Sequence, residues 1–183
     1  MTVQSLLRRE HGMAMRMLAV LKKLLESVED GTEGGTEDLE SVLLVLEGYV
    51  DRCHHGKEER LVFPEVRKAG EGDMEVMVDE LALDHGKAAD LLRRMKEEVP
   101  SGPSFSKLDV EALEPLARSY IELMREHIRK ENARLLPLCE AVFPEEASGS
   151  ALRRMEALDE ELLGPGRKGT LLEDLEKLSA RYL

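Results

Sequence analysis

At 183 residues the chain has room for one domain with a substantial core, or such a domain plus an appendage, and is too short for two full domains. A formal net charge of −12, with three Tyr, three Phe and no Trp, opposes phosphate-backbone binding and leaves few rings for base stacking, so no nucleic-acid partner is expected. The longest unbroken apolar runs, such as Val42 to Leu46, are far too short for a bilayer, and Met1 to Gly12 is charged where a secretory signal would be apolar, so a cytoplasmic protein without a membrane partner is expected.

Richness in Leu, Glu, Lys, Arg, Met and Ala favours helix before any pattern is read. Leu7, His11, Ala14, Leu18, Leu21, Leu25 and Val28 are spaced alternately by four and three, which predicts one long helix ending near Asp30-Gly31. Leu39, Leu43, Leu46 and Val50 open a second, which runs through Cys53, His54 and Glu58 to about Lys68, with a kink expected at Pro64. After Gly70-Glu71-Gly72, Val78, Leu81, His85, Ala88, Leu92 and Met95 predict a third, closed by Pro100-Ser101-Gly102-Pro103. Leu116, Tyr120, Leu123, His127, Glu131, Leu135 and Leu138 predict a fourth. It should start between Asp109 and Pro115, because proline is best tolerated in a first turn, and end near Pro144. Beyond it, Ser148-Gly149-Ser150 reads as a break, followed by a short helix to about Leu163, Gly164-Pro165-Gly166, and a last amphipathic helix carrying Leu171, Leu175 and Leu178.

The expected fold is all-α: an antiparallel up-down-up-down four-helix bundle over residues 1–144, with a short C-terminal helical extension over 145–183 packed on or near it. Cys53 and Cys139 are too few for a disulfide framework and are expected to be buried structural thiols.

The chain also repeats itself. His54-His55-Gly56-Lys57-Glu58 with Pro64 matches His127-Ile128-Arg129-Lys130-Glu131 with Pro137 at an offset of 73 residues, and Glu10-His11-Gly12 matches Asp84-His85-Gly86 at 74. Four of the five histidines therefore occupy repeat-related places on predicted core seams. Chain lengths from His11 to a turn near Glu33 and back to His54 are nearly equal. The same holds from the His54/Glu58 pair to Glu71 and on to His85, and His127 follows the turn near Gly102 to Ser106 in like fashion, so all four imidazoles are expected at one level.

His54 with Glu58 and His127 with Glu131 are i, i+4 pairs, so each pair shares one helix face and can share a metal. Two carboxylates buried between helices without cations would face several kcal/mol of desolvation and repulsion. The alternative register, His55 with Glu59, is not repeated, since the second copy has Ile128 and Asn132, so His55 is read as outer-shell or surface. Glu47 and Tyr120, two turns before His54 and His127, are candidates for supporting hydrogen bonds.

Four imidazoles and two carboxylates make a donor set too large for one tetrahedral zinc and without the thiolates of a structural site. A pair of metals about 3.5 to 4 Å apart fits better, each taking two histidines with Glu58 and Glu131 bridging; iron is the first choice, manganese or zinc the second. The Glu-x-x-His signature of ferritin-like bundles is missing from both copies, and no His-Glu-x-x-His helix or phosphate-cradling glycine loop is present.

With His11, His54-x-x-x-Glu58 followed by Leu61-Val62-Phe63-Pro64, His85, and His127-x-x-x-Glu131 followed by Leu135-Leu136-Pro137, the chain to about residue 144 resembles hemerythrin and the wider hemerythrin-like (HHE cation-binding) proteins. That resemblance implies a non-haem diiron centre with His11 and His54 on one iron, His85 and His127 on the other, and Glu58 and Glu131 between them. Oxygen carriers of the family have a further histidine one turn after the third-helix histidine, where this chain has Ala89, so the asymmetric site of a reversible carrier is not expected; a centre that binds or reacts with dioxygen or peroxide is. Met15 and Ala89 are expected to make the pocket over the metals small and apolar. A second possibility is a regulatory module in which metal loading is relayed to a protein partner through residues 145–183.

Overall fold

The computed structural model describes residues 1–32, 34–70, 72–102 and 105–183. Glu33 and Glu71, the expected turn midpoints, and Pro103 of the third-helix terminator lie outside the described residues. Six helices account for the fold, and no strand occurs among the described residues: α1 (Val3–Glu29), α2 (residues 36–69), α3 (Asp73–Glu97), α4 (residues 107–142), α5 (Glu145–Leu163) and α6 (Arg167–Tyr182). No helix among them is long and apolar enough to cross a membrane.

Two helices change pitch where the chemistry-bearing residues lie. α2 is α-helical over Thr36–Val45, π-helical over Leu46–His55 and again over Glu58–Val62, then α-helical over Phe63–Ala69. α4 is α-helical over Lys107–Lys130 and Leu136–Val142, with a π-helical turn at Glu131–Leu135 between them. A π turn holds more residues than an α turn, so neighbouring side chains are separated by a smaller angle and more of them can face one side. Pro64 and Pro137 both sit where a π turn gives way to α-helix.

Local chemistry sets the helix ends. Thr2 and Ser5 form a reciprocal capping box at the start of α1, and Ser106 with Asp109 does the same for α4. That second box corrects the expected start of α4: the helix begins at Lys107, and Pro115 lies inside it on an exposed turn, where water can satisfy the carbonyl that loses its partner. Ser148-Gly149-Ser150 is likewise no break. It lies within α5, and the Ser148 hydroxyl donates to the Phe143 carbonyl at 3.0 Å, satisfying a group freed at the end of α4.

Two apolar clusters bracket a polar layer. One gathers Val3 and Leu7 of α1, Leu61 and Val66 of α2, Met77 and Leu81 of α3, Leu135 and Cys139 of α4, and Met155 of α5. The other gathers Leu18 to Val28 of α1, Leu39 to Val50 of α2, Leu92 and Met95 of α3, Val110 to Met124 of α4, and Leu171, Leu175 and Tyr182 of α6. Each fully buried Leu contributes about 2 kcal/mol through burial. The two C-terminal helices thus complete the core instead of trailing from it. Glycines let them approach: a Cβ on Gly48 would lie 2.6 Å from Leu171 Cδ1, and one on Gly56 2.7 Å from Leu162 Cδ1.

Candidate metal centre

Between the clusters lie His11 of α1, His54, His55 and Glu58 of α2, His85 of α3, and His127 and Glu131 of α4, none more than 3 % exposed. His54, His55, Glu58 and Glu131 all sit on π-helical turns, and His127 lies on the α-helical turn before the one that starts at Glu131. All six residues singled out by the repeat are brought together.

The donor atoms converge. His11 Nε2 is 3.1 Å from Glu131 Oε2, and His127 Nε2 is 3.1 Å from Glu131 Oε1. Glu58 spans the gap from the other side, with Oε1 3.6 Å from His54 Nε2 and Oε2 3.5 Å from His85 Nε2. Despite these approaches, His11 Nε2, His54 Nε2 and all four oxygens of Glu58 and Glu131 lack a hydrogen-bonding partner. His85 Nε2 and His127 Nε2 face one another at 3.2 Å. A buried polar atom without a hydrogen bond costs about 1–3 kcal/mol, and these six meet only in ion-pair contacts within the layer, an arrangement that a shared cation would complete.

The outward ring nitrogens of His11, His54 and His85 are held, whereas His127 Nδ1 has no hydrogen-bonding partner. His54 Nδ1 is 3.1 Å from Glu10 Oε2, His85 Nδ1 is 2.9 Å from Glu59 Oε1, and His11 Nδ1 is 3.2 Å from Asn132 Oδ1. An acceptor on Nδ1 places the proton of a neutral ring there and turns the Nε2 lone pair inward, the arrangement typical of metal-ligating histidines. Glu59 and Asn132 are themselves repeat mates: each follows its copy's inner carboxylate and steadies the histidine of the paired helix.

A second buried network backs His54. Glu10 takes the Lys57 ammonium in a short contact and the Lys168 ammonium at 3.3 Å, while Asp159 of α5 lies 3.0 Å from Lys57 and 2.5 Å from Lys168. The Cys53 thiol donates to Asp159 at 2.8 Å, and burial pushes it up to about 12, so it is inert. Glu10, Cys53 and Asp159 lie close enough to hold an ion, but the two lysines already occupy the role of cation there.

Electrostatics of the metal-free layer follow from its carboxylates. Burial works against a charge on His85, but Glu58, Glu59 and Glu131 outweigh it and raise its pKa from 6.5 to about 9. His11 is raised in the same way, against burial, by Glu131 and Glu58. Glu131 is held well below the usual carboxylate range because His127, His11 and His54 overcome its burial. His55 moves the other way: burial, with His85, His54 and His127 adding repulsion, keeps it neutral.

The sign for His85 is fixed by these shifts. A folded pKa above the unfolded value gives stabilisation that is complete below about 6.5 and lost as pH rises through about 9. Metal-stripped protein should therefore lose about 3 kcal/mol between pH 6 and pH 10, read as a falling urea midpoint. A midpoint that is flat or rising over that interval would contradict the His85 environment described here.

Four expectations are corrected. His55 is neither surface nor peripheral: it is 1 % exposed and lies flat on His85, ring centroids 3.8 Å apart and planes at 10°. Its repeat mate Ile128 is buried as well, on plain α-helix, so the position faces the interior in both copies. Glu47 does not reach the layer; it pairs outside with Lys96 at 2.8 Å and Arg52 at 3.2 Å. Tyr120 is buried within the apolar cluster on the α6 side. Ala89 lines an outer cleft with Glu47, Asp51 and Lys96, and Met15 packs on the apolar cluster, so the two do not form one apolar pocket.

Sequence reasoning did not single out Glu10, Lys57, Glu59 or Asn132 as supports, although the repeat carried the signal. Glu10 and Lys57 align with Asp84 and Lys130, and that pair is also bonded, at 2.8 Å.

An all-helical fold around buried groups of imidazoles and carboxylates defines a class of helical cation-binding proteins. The chain belongs to the hemerythrin HHE cation-binding domain family, whose model matches residues 2–139. Neither a curated protein nor a solved structure matches it.

Proposed function

We propose that the chain is a diiron protein that binds or reacts with dioxygen or peroxide. One observation carries this reading: the buried donors fall into two four-residue groups, His11, His54, Glu58, Glu131 and Glu58, His85, His127, Glu131, which share their two carboxylates. Each group would hold one iron, with Glu58 and Glu131 bridging. A mixed nitrogen and oxygen set suits iron, with manganese or zinc next. Iron there would supply Lewis acidity and one-electron redox chemistry. The chain's own part is to fix the imidazoles through Glu10, Glu59 and Asn132 and to keep the layer out of bulk water.

The scaffold for this reading is an antiparallel up-down-up-down four-helix bundle over residues 1–144, extended by 145–183. Its support is that the first turns of α1 and α3 share a cluster with the last turns of α2 and α4, while the opposite ends share the other.

The test is to load metal-stripped protein with ferrous iron under nitrogen and add peroxide or dissolved oxygen. Oxidation of both irons much faster than of free ferrous iron, followed by charge-transfer absorption, is expected. Oxidation at the rate of free iron would overturn it.

A second reading, an iron- or oxygen-responsive regulatory module without turnover, is favoured by the buried ionic network. Lys168 of α6 pairs with Glu10, which holds His54, and Asp159 of α5 is tied to Glu10 through Lys57. Protease cleavage within 145–183 that depends on metal loading or oxygen, with no turnover, would select this reading.

A further inference from the structure

We propose that His55 is a fifth imidazole donor, to the metal held by His85 and His127. The proposal rests on the two-metal reading above and assigns this residue a role the repeat does not give it.

His55 is buried, and neither of its ring nitrogens has a hydrogen-bonding partner. A neutral imidazole has one donor and one acceptor, and leaving both unmet away from water is costly without a compensating role. A purely structural residue would be apolar here, as the second copy shows: its repeat mate Ile128 is buried in the core. The position therefore does not require a polar ring for packing.

Placement supplies the role. One ligating nitrogen each from His55, His85 and His127 lies within 4.8 Å of the others, and all three residues are buried. The His55 ring centroid is 5.5 Å from that of His127 and 3.8 Å above that of His85. On its outer side His55 Nδ1 faces Asp51 Oδ1 at 3.7 Å. His11 with Asn132, His54 with Glu10 and His85 with Glu59 have an outer oxygen in the same place at hydrogen-bonding distance, leaving Nε2 for the interior; the Asp51 contact is longer and makes no hydrogen bond. Parallel stacking on His85 keeps the two rings from meeting one ion in the same plane, so ligation requires His55 to tip out of the stack. No hydrogen bond holds it there.

The test uses the full chain and cobalt(II), whose visible bands report coordination number, with isothermal titration for stoichiometry and affinity. Wild-type protein should take up two equivalents. His55→Ile, which copies the repeat mate and keeps the core filled, should bind the first equivalent unchanged and the second more than about 100-fold more weakly, with stronger visible bands from a lower coordination number. Far-ultraviolet circular dichroism of the metal-free variant checks its fold. Asp51→Asn, at a half-buried position outside the core, provides a second readout and should weaken the second equivalent by about tenfold. Two equivalents at wild-type affinity in both variants, with unchanged bands, would overturn the proposal while leaving the two-metal reading intact. Unchanged metal affinity with weakened azide binding would also overturn it, assigning His55 to the added ligand instead of the metal. A wild type that binds no metal would sink the reading on which the proposal rests.

Discussion

Stripping bound metal with a strong chelator is expected to lower the melting temperature by roughly 20 °C, and Glu131→Ala is expected to abolish that difference. A ligand that binds only the folded state, present about 1,000-fold above its dissociation constant, adds about 4 kcal/mol per site. Two ions would add about 8 kcal/mol, and a chain of this length gains about 2–4 °C per kcal/mol. Glu131 belongs to both four-residue groups, so its loss should remove both increments, whereas His54→Ala should remove one. Differential scanning calorimetry of loaded and stripped samples checks each case. Identical melting of loaded and stripped wild type would mean that the layer tolerates its unpaired donors without a cation.

Lys57→Met should be the most damaging substitution outside the donor set, costing about 3–5 kcal/mol and roughly 10 °C in melting temperature. The Lys57 ammonium is fully buried between Glu10 and Asp159, and those neighbours overcome its burial to keep its pKa above the ordinary lysine value. Glu10 is held below the ordinary carboxylate range, against burial, by His54, Lys57 and Lys168. Removing Lys57 leaves a buried carboxylate with only the half-buried Lys168 and His54 to meet it. Because the Glu10 pKa is depressed in the folded state, its contribution is present above about pH 4.5 and lost as pH falls below it. The double variant Glu10→Leu/Lys57→Met removes both charges and should recover much of the loss, a coupling that urea unfolding of the four-protein cycle would measure. A cost below about 1 kcal/mol for the single variant would show the pair to be idle.

Much of this was legible in the sequence for a physical reason. Metal donors must meet in space, and in a helical protein that forces a period along each helix and equal chain lengths between helices, both visible as numbers. His11, His54, Glu58, His85, His127 and Glu131 obeyed those constraints, and the structure gathers all six. What stayed hidden begins with His55: Ile128, its apolar repeat mate, carried the signal that this position is buried, but a His55/Glu59 register that the second copy lacks pointed outward. The start of α4 is set by the Ser106/Asp109 box, a stronger local signal than the preference of Pro115 for a first turn. Lys57 escaped notice because a lysine beside a predicted seam normally faces water, and its burial depends on Asp159 of α5 and the neighbouring α6, which no local spacing links to position 57.

The most direct test is metal content by mass spectrometry on protein reconstituted with ferrous iron and freed of excess. Two irons per chain in the wild type, one in His54→Ala and none in Glu131→Ala are expected. A wild type that holds no iron, or variants that hold as much as the wild type, would contradict the account.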